Sequence, residues 1–219
     1  MRFLPLTVVS GALLLWGVLV VPLLPEGPGA RTAANLLAVA ALLALTRLPR
    51  AELGLARGHV RPGLRWGGLV LAVVGTGYLV ALAVPPVHAL LDAAAELGTT
   101  AELLLRLLVF IPLGTVLAEE LAFRGVLLGM ALRRLPVRWA VVWCSVVFGL
   151  WHVSTARTPD AVDGAPATTL AVLGTVVATA VAGALFAWLR LRSGSLLAPV
   201  AAHLATNVLG LVAVAVAAR

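Results

Sequence analysis

Long apolar stretches, broken by short clusters of arginine and acid, set the pattern of this chain. Seven such stretches fall near residues 3–24, 31–48, 66–84, 103–132, 138–154, 168–189 and 195–217. A helix crosses the hydrocarbon of a bilayer with about 20 residues. Within lipid, backbone N–H and C=O groups must bond inside their own segment, so the stretches predict helices. The fold expected is all-α: a polytopic membrane helical bundle of about seven transmembrane helices, forming one transmembrane domain over residues 1–219. The second and fifth stretches are short. The fourth is long and contains Pro112, which predicts a kink. Segment 86–100, with His88, Asp92 and Glu96, predicts a short interfacial helix. The first stretch follows Arg2 and has the outline of a signal peptide. Its apolar run is too long for one and no small-residue cleavage site stands out, so it is read as a retained span.

The gaps alternate in charge. Arg47, Arg50, Arg57, Arg61 and Arg65 follow the second span, set against Glu52; Arg133, Arg134 and Arg138 follow the fourth; Arg190 and Arg192 follow the sixth. The intervening gaps carry Glu26 and Arg31, then Asp92 and Glu96, then Arg157, Asp160 and Asp163. Arginine gathers on the cytoplasmic side of membrane proteins. The expected orientation is therefore N-terminus cytoplasmic and C-terminus outside, in a bacterial cytoplasmic membrane. Every gap agrees with seven spans.

Composition sharpens the class. The chain is 62% hydrophobic and 11% charged, and its mean hydropathy is +1.08. Soluble domains carry about a quarter charged residues. The net charge of +7 rests on arginine alone, and the arginines sit where topology signals belong, so nucleic acid is not an expected partner. Membrane lipid is. The arginine-only basicity and abundant alanine fit a GC-rich bacterial genome. Cys144 is the sole cysteine, which excludes a disulfide within the chain.

Against this background two adjacent acids, Glu119 and Glu120, fall inside an apolar span. A carboxylate in hydrocarbon costs several kcal/mol, so an intramembrane acid is a functional-site hypothesis by default. Glu120 and Arg124 are i,i+4 partners on one helical face, while Glu119 points about 100° away. One acid is then held ionised by arginine, and the other is free to carry a proton, since desolvation strengthens proton binding by a carboxylate. A structural ion pair at a helix seam is the plain alternative for Glu120 and Arg124. Phe148 and His152 share a face of the fifth span, and His203 and Asn207 share a face of the seventh. Each pair also fits ordinary interhelical hydrogen bonding. Counted from the arginines, Glu119, His152 and His203 all lie roughly 15–20 Å from the cytoplasmic side, so three helices place polar groups at one depth.

In this order the patterns EExxxR, FxxxH and HxxxN resemble the CPBP family of intramembrane proteases, which includes CAAX prenyl proteases of the Rce1 type and the bacterial Abi proteins linked to bacteriocin processing and self-immunity. The resemblance covers residues 103–210, which it marks as the catalytic core; residues 1–100 then form accessory N-terminal spans. It implies that Glu119 is the general base that activates water, that His152 holds or polarises that water, and that His203 and Asn207 stabilise the oxyanion. Glu120, Arg124 and Phe148 would order the site. The substrate implied is a membrane-associated or lipidated peptide or protein. Bacteriocin leaders, quorum-sensing pro-peptides, C-terminal sorting tails and prenylated ends all fit.

Two chemistries stay open. Glu119, His152 and His203 supply the donor types of a catalytic zinc site with an open water position, although no HExxH helix is present. A carboxylate and an imidazole also activate water without metal, which is the reading preferred. Two other functions compete: a non-catalytic immunity or scaffold protein of the same fold, and an ion-coupled transporter. A peptidase further requires a hydrated cavity opening to the cytoplasm or sideways to lipid. His59 and His88 are expected in loop or interfacial positions. Trp16, Trp66, Trp139 and Trp188 are expected in an interfacial belt. Gly67-Gly68 and Gly75-x-Gly77 suggest close helix packing, and Asn35 suggests interhelical bonding.

Overall fold

The computed structural model describes residues 5–25, 27–154 and 165–219. Arg2, Glu26, Arg157, Asp160 and Asp163, which entered the orientation argument, lie outside the described residues. Eight helices account for most of the remainder: α1 Leu6–Leu23, α2 Pro28–Thr46, α3 Arg57–Ala83, α4 Pro85–Ala93, α5 Thr100–Leu132, α6 Val137–Trp151, α7 Ala165–Ser193 and α8 Leu197–Ala217. Six of them are long and apolar enough to cross a membrane, and α6 is a shorter apolar helix. The molecule is a polytopic all-α bundle, an integral membrane protein.

Local chemistry explains the helix ends. Pro28 and Pro85 open α2 and α4 at positions whose N–H would have no intrahelical partner. Thr99 and Glu102 form a reciprocal capping box that starts α5. Gly194, at φ 66°, supplies the left-handed joint between α7 and α8. Two boundaries differ from the sequence reading. Arg57, Arg61 and Arg65 lie on the first turns of α3, and Arg190 and Arg192 on the last turns of α7, instead of in the gaps. Helices outrun the apolar stretch because a long arginine stem reaches water from inside the helix. His152 is the residue that ends α6 and not an interior residue of it.

α5 is the central element. From Ala122 to Ala131 every one of its side chains is buried. Its neighbours reach it, and each other, through glycines. A Cβ at Gly114 would collide with Thr32 of α2, and one at Gly149 of α6 would lie 2.6 Å from the Val176 carbonyl of α7. Gly63 and Gly67 of α3 face Ser195 and Ala201 just as closely. Lipid offers no hydrophobic drive between helices, so close backbone approach does the work. The sequence pairs divide: Gly67 is such a contact, Gly75 meets Leu209 at ordinary distance, and Gly68 and Gly77 face open space.

The connection 47–56 closes one end of the bundle. Leu48 and Leu53 are buried against α5, where Gly125 and Gly129 make room for Leu53 and Glu52. Arg190 donates to the carbonyls of Ala51 and Glu52, at 3.3 and 2.9 Å, and the Leu196 amide donates to the Gly54 carbonyl. Glu52 receives both Nε and Nη2 of Arg133, at 2.5 and 2.8 Å, which raises the Arg133 guanidinium pKa above its ordinary value. The arginine-rich segments after α2, α5 and α7 thus meet at one packed end.

Gly149→Ala is expected to destabilise the protein by about 1–3 kcal/mol, since a methyl group there must displace backbone. Gly68→Ala, on an open helical surface, is expected to be neutral or stabilising by up to about 1 kcal/mol. Thermal unfolding of both variants in detergent distinguishes the two.

Candidate active site

The acidic pair is set in an interrupted helix. Residues Arg106–Leu117 and Leu121–Leu127 of α5 form wide, i→i+5 turns, and Ala118–Glu120 is the single regular turn between them. Such turns are concentrated at functional sites, and Pro112 within the first one removes a backbone donor. One carbonyl in this region, that of Gly114, is taken up by a neighbour: the Asn35 amide donates to it at 2.9 Å. The Asn35 oxygen in turn accepts from the Trp16 indole at 2.9 Å. Asn35 is the interhelical bond expected of it. Trp16 is part of the same network and not a member of an interfacial belt.

Glu120 is fully buried, and one of its two oxygens has fixed partners while Oε2 has none among the described residues. Its Oε1 accepts from Arg124 Nη1 at 3.0 Å and from His203 Nδ1 at 2.9 Å. Arg124 is 2% exposed, and its guanidinium carbon lies 4.0 Å from the centroid of the Phe148 ring and 5.0 Å from that of Phe186. Aromatic faces stabilise a desolvated cation. Phe148 also meets Phe123 and His152 edge to face, at 4.9 and 4.7 Å. It is the ring around which the charged network turns.

Glu119 points elsewhere. It is 8% exposed, and its Oε2 is buried without a hydrogen-bond partner among the described residues. Buried polar atoms are almost always bonded, so this oxygen is suited to solvent or substrate. His152 Nε2 lies 4.0 Å from it. His152 Nδ1 is 2.8 Å from the Phe148 carbonyl, which only accepts, so the ring carries its proton on Nδ1 and, when neutral, presents a bare Nε2. A cavity of about 680 Å³ is lined by Glu119, His152, His203 and Asn207 together. A second, apolar cavity of about 270 Å³, walled by Leu13, Val39, Leu42 and Trp151, reaches Glu119 from the side of α1 and α2.

The larger cavity runs along the N-terminal halves of α2 and α5 and the C-terminal ends of α1 and α6, and Arg31 and Arg106 line it. It therefore extends away from the packed, arginine-rich end. No residue of the 47–56 connection is among those that line it.

Asn207 occupies another wide turn, Ala205–Leu209. The Thr206 hydroxyl approaches its Oδ1 at 3.4 Å, and the Thr206 carbonyl accepts from Tyr78 of α3 at 3.0 Å. Tyr78 escaped the sequence reading; the signal was that the chain's one tyrosine lies within an apolar span. His59 is exposed and packs over Gly194, and His88 lies on α4, so neither joins the site. Trp66 and Trp188 pack edge to face at 5.4 Å between α3 and α7, a helix contact in place of two separate belt anchors. Trp139 is 54% exposed beside Arg138.

The proposed donors for a metal do not assemble into one set. Among the described residues no three His, Cys, Asp or Glu side chains converge closely enough to hold an ion. Glu119 and His152 approach each other, whereas His203 directs Nδ1 to Glu120.

Comparison with known protein families matches residues 100–209 to type II CAAX prenyl endopeptidases, Rce1-like. No curated protein and no solved structure matches the chain. The matched region contains α5, α6, α7 and most of α8, and with them every acid and imidazole of the cavity and the Asn207 amide. The chain belongs to the Rce1-like family of type II CAAX prenyl endopeptidases.

Proposed function

We propose that the protein is an intramembrane endopeptidase that hydrolyses a peptide bond in a membrane-associated or lipidated polypeptide. The observation that carries this reading is the facing pair of Glu119 Oε2, buried without a hydrogen-bond partner among the described residues, and the bare Nε2 of His152, 4.0 Å away on the wall of a common cavity. A water molecule between them donates one hydrogen to each and turns its lone pairs toward an incoming carbonyl.

The steps then balance. Glu119 takes the proton of the attacking water as its oxygen bonds to the scissile carbonyl carbon. The carbonyl π electrons move to oxygen, and the oxyanion receives hydrogen bonds from the Asn207 amide and His203. The C–N bond breaks as the tetrahedral centre collapses, and the proton held by Glu119 passes to the departing amine. Glu120 and Arg124 act through His203. Because the Nδ1 proton of His203 is committed to the Glu120 carboxylate, His203 donates from Nε2 only as the imidazolium. No step here is routed through a metal, since the donor set does not converge.

Catalytic side chains all come from residues 103–210. The spans within 1–100 build the wall of the cavity through Trp16, Arg31 and Asn35 and serve as the accessory part of one domain. The same reading assigns it to a bacterial cytoplasmic membrane with its N-terminus in the cytoplasm, on the distribution of arginine along the sequence. A transporter reading gains no specific support.

Glu119→Gln keeps the shape of the side chain and removes the base. Cleavage of a membrane-tethered peptide by the purified protein is expected to fall by about 10²–10⁴-fold, with the unfolding midpoint unchanged. Undiminished cleavage would remove Glu119 from the mechanism. Asn207→Ala is expected to lower kcat by about 10²–10³-fold with KM nearly constant, as single-turnover kinetics can show.

A further inference from the structure

Tyr78 is the one tyrosine of the chain, and it lies in the apolar span α3. Within a membrane bundle a phenol hydroxyl needs a partner inside the protein. This one reaches across to α8 and donates to the Thr206 carbonyl at 3.0 Å. A Cβ at Gly210 would lie 2.8 Å from the Tyr78 oxygen, so the ring comes this close to the α8 backbone because that position is glycine. Gly75, one turn earlier on α3, faces Leu209. The face of α3 that carries Gly75 and Tyr78 therefore rests along the wide turn Ala205–Leu209.

Thr206 lies between the two residues assigned to the oxyanion. Its hydroxyl donates to the His203 carbonyl at 2.9 Å and lies 3.4 Å from Asn207 Oδ1. The carbonyl that Tyr78 holds belongs to the peptide joining Thr206 to Asn207, so a phenol from another helix grips the backbone that carries the Asn207 amide. A wide turn departs from the regular helical register, and its carbonyls are open to such partners. An oxyanion donor must also be placed closely, since a misplacement of about 1 Å can cost about 10²-fold in rate. We propose that Tyr78 is a positioning residue for Asn207: its bond to the Thr206 carbonyl fixes the turn so that the amide faces the cavity. The part played by Asn207 in the reaction rests on the function proposed above; the brace on its turn does not. Tyr78 lies outside the matched residues 100–209, so an accessory span then contributes to turnover and not to the cavity wall alone.

Tyr78→Phe removes only the hydroxyl, and two measurements on the full chain in detergent read the consequence. Backbone hydrogen–deuterium exchange is expected to rise several-fold across 205–211 and to stay unchanged in α6. In cleavage of a membrane-tethered peptide, kcat is expected to fall about 10-fold with KM nearly constant. In an Asn207→Ala background the same substitution is expected to change kcat by less than about two-fold, because the group it positions is gone. Unchanged exchange across 205–211 would overturn the proposal, as would a kcat equal to that of the unsubstituted protein. So would a loss of the same size in the Asn207→Ala background, which would mark Tyr78 as packing that serves no single group. Exchange reads the turn without cleavage, so a protein that exchanges as expected but hydrolyses nothing would keep the brace and lose the peptidase.

Discussion

The fully buried carboxylate of Glu120 constrains this structure more than any other group. A lone carboxylate within a bilayer-spanning bundle is costly, and breaking a buried pair by removing one partner costs several kcal/mol. Arg124 supplies the compensating charge from one turn away, and His203 brings in α8 through the same oxygen. The guanidinium is itself desolvated and rests on Phe148 and Phe186, which ties α6 and α7 into the arrangement. One charge requirement therefore fixes four helices relative to each other. It also fixes the tautomer of His203, and so which nitrogen remains for chemistry.

The second acid owes its freedom to that arrangement. Glu119 adjoins Glu120 in the chain, but a helix turns about 100° per residue, so it leaves the ion pair and faces the cavity. There its orphaned oxygen meets His152. The histidine is held by a backbone carbonyl at the very end of α6, where the helix stops and the ring hangs over the cavity. The wide turns of α5 and α8 flank these groups. A regular helix buries its carbonyls in its own ladder, whereas a wide turn loosens that ladder and lets Asn35 and Tyr78 bond to backbone from neighbouring helices. Polar side chains from the N-terminal spans thus stabilise a distorted backbone that carries the reactive groups.

The asymmetry of the bundle follows from the same packing. Glycine seams draw the helices together, and from Ala122 onward α5 is wrapped completely. Toward its N-terminus the neighbours separate, and the space between them is the cavity. The connection after α2 packs Leu48 and Leu53 against that buried stretch.

Several features were legible in the chain before folding. Hydropathy alone determined the helical class and the number of apolar segments, because in lipid the backbone has no other way to satisfy its own polar groups. The Glu120–Arg124 pair was also readable, since i,i+4 partners meet through helix geometry without help from the rest of the molecule. What the sequence could not carry was any distance between helices. That His203 bonds to Glu120 instead of joining Glu119 and His152 as a third ligand, that Trp16 turns inward to Asn35, that Tyr78 braces the turn of Asn207, and that the cavity lies away from the 47–56 connection all depend on helix rotation and approach. Those are decided where glycines let backbones touch and where a buried charge must find its partner, and such contacts join residues dozens of positions apart that no local periodicity relates.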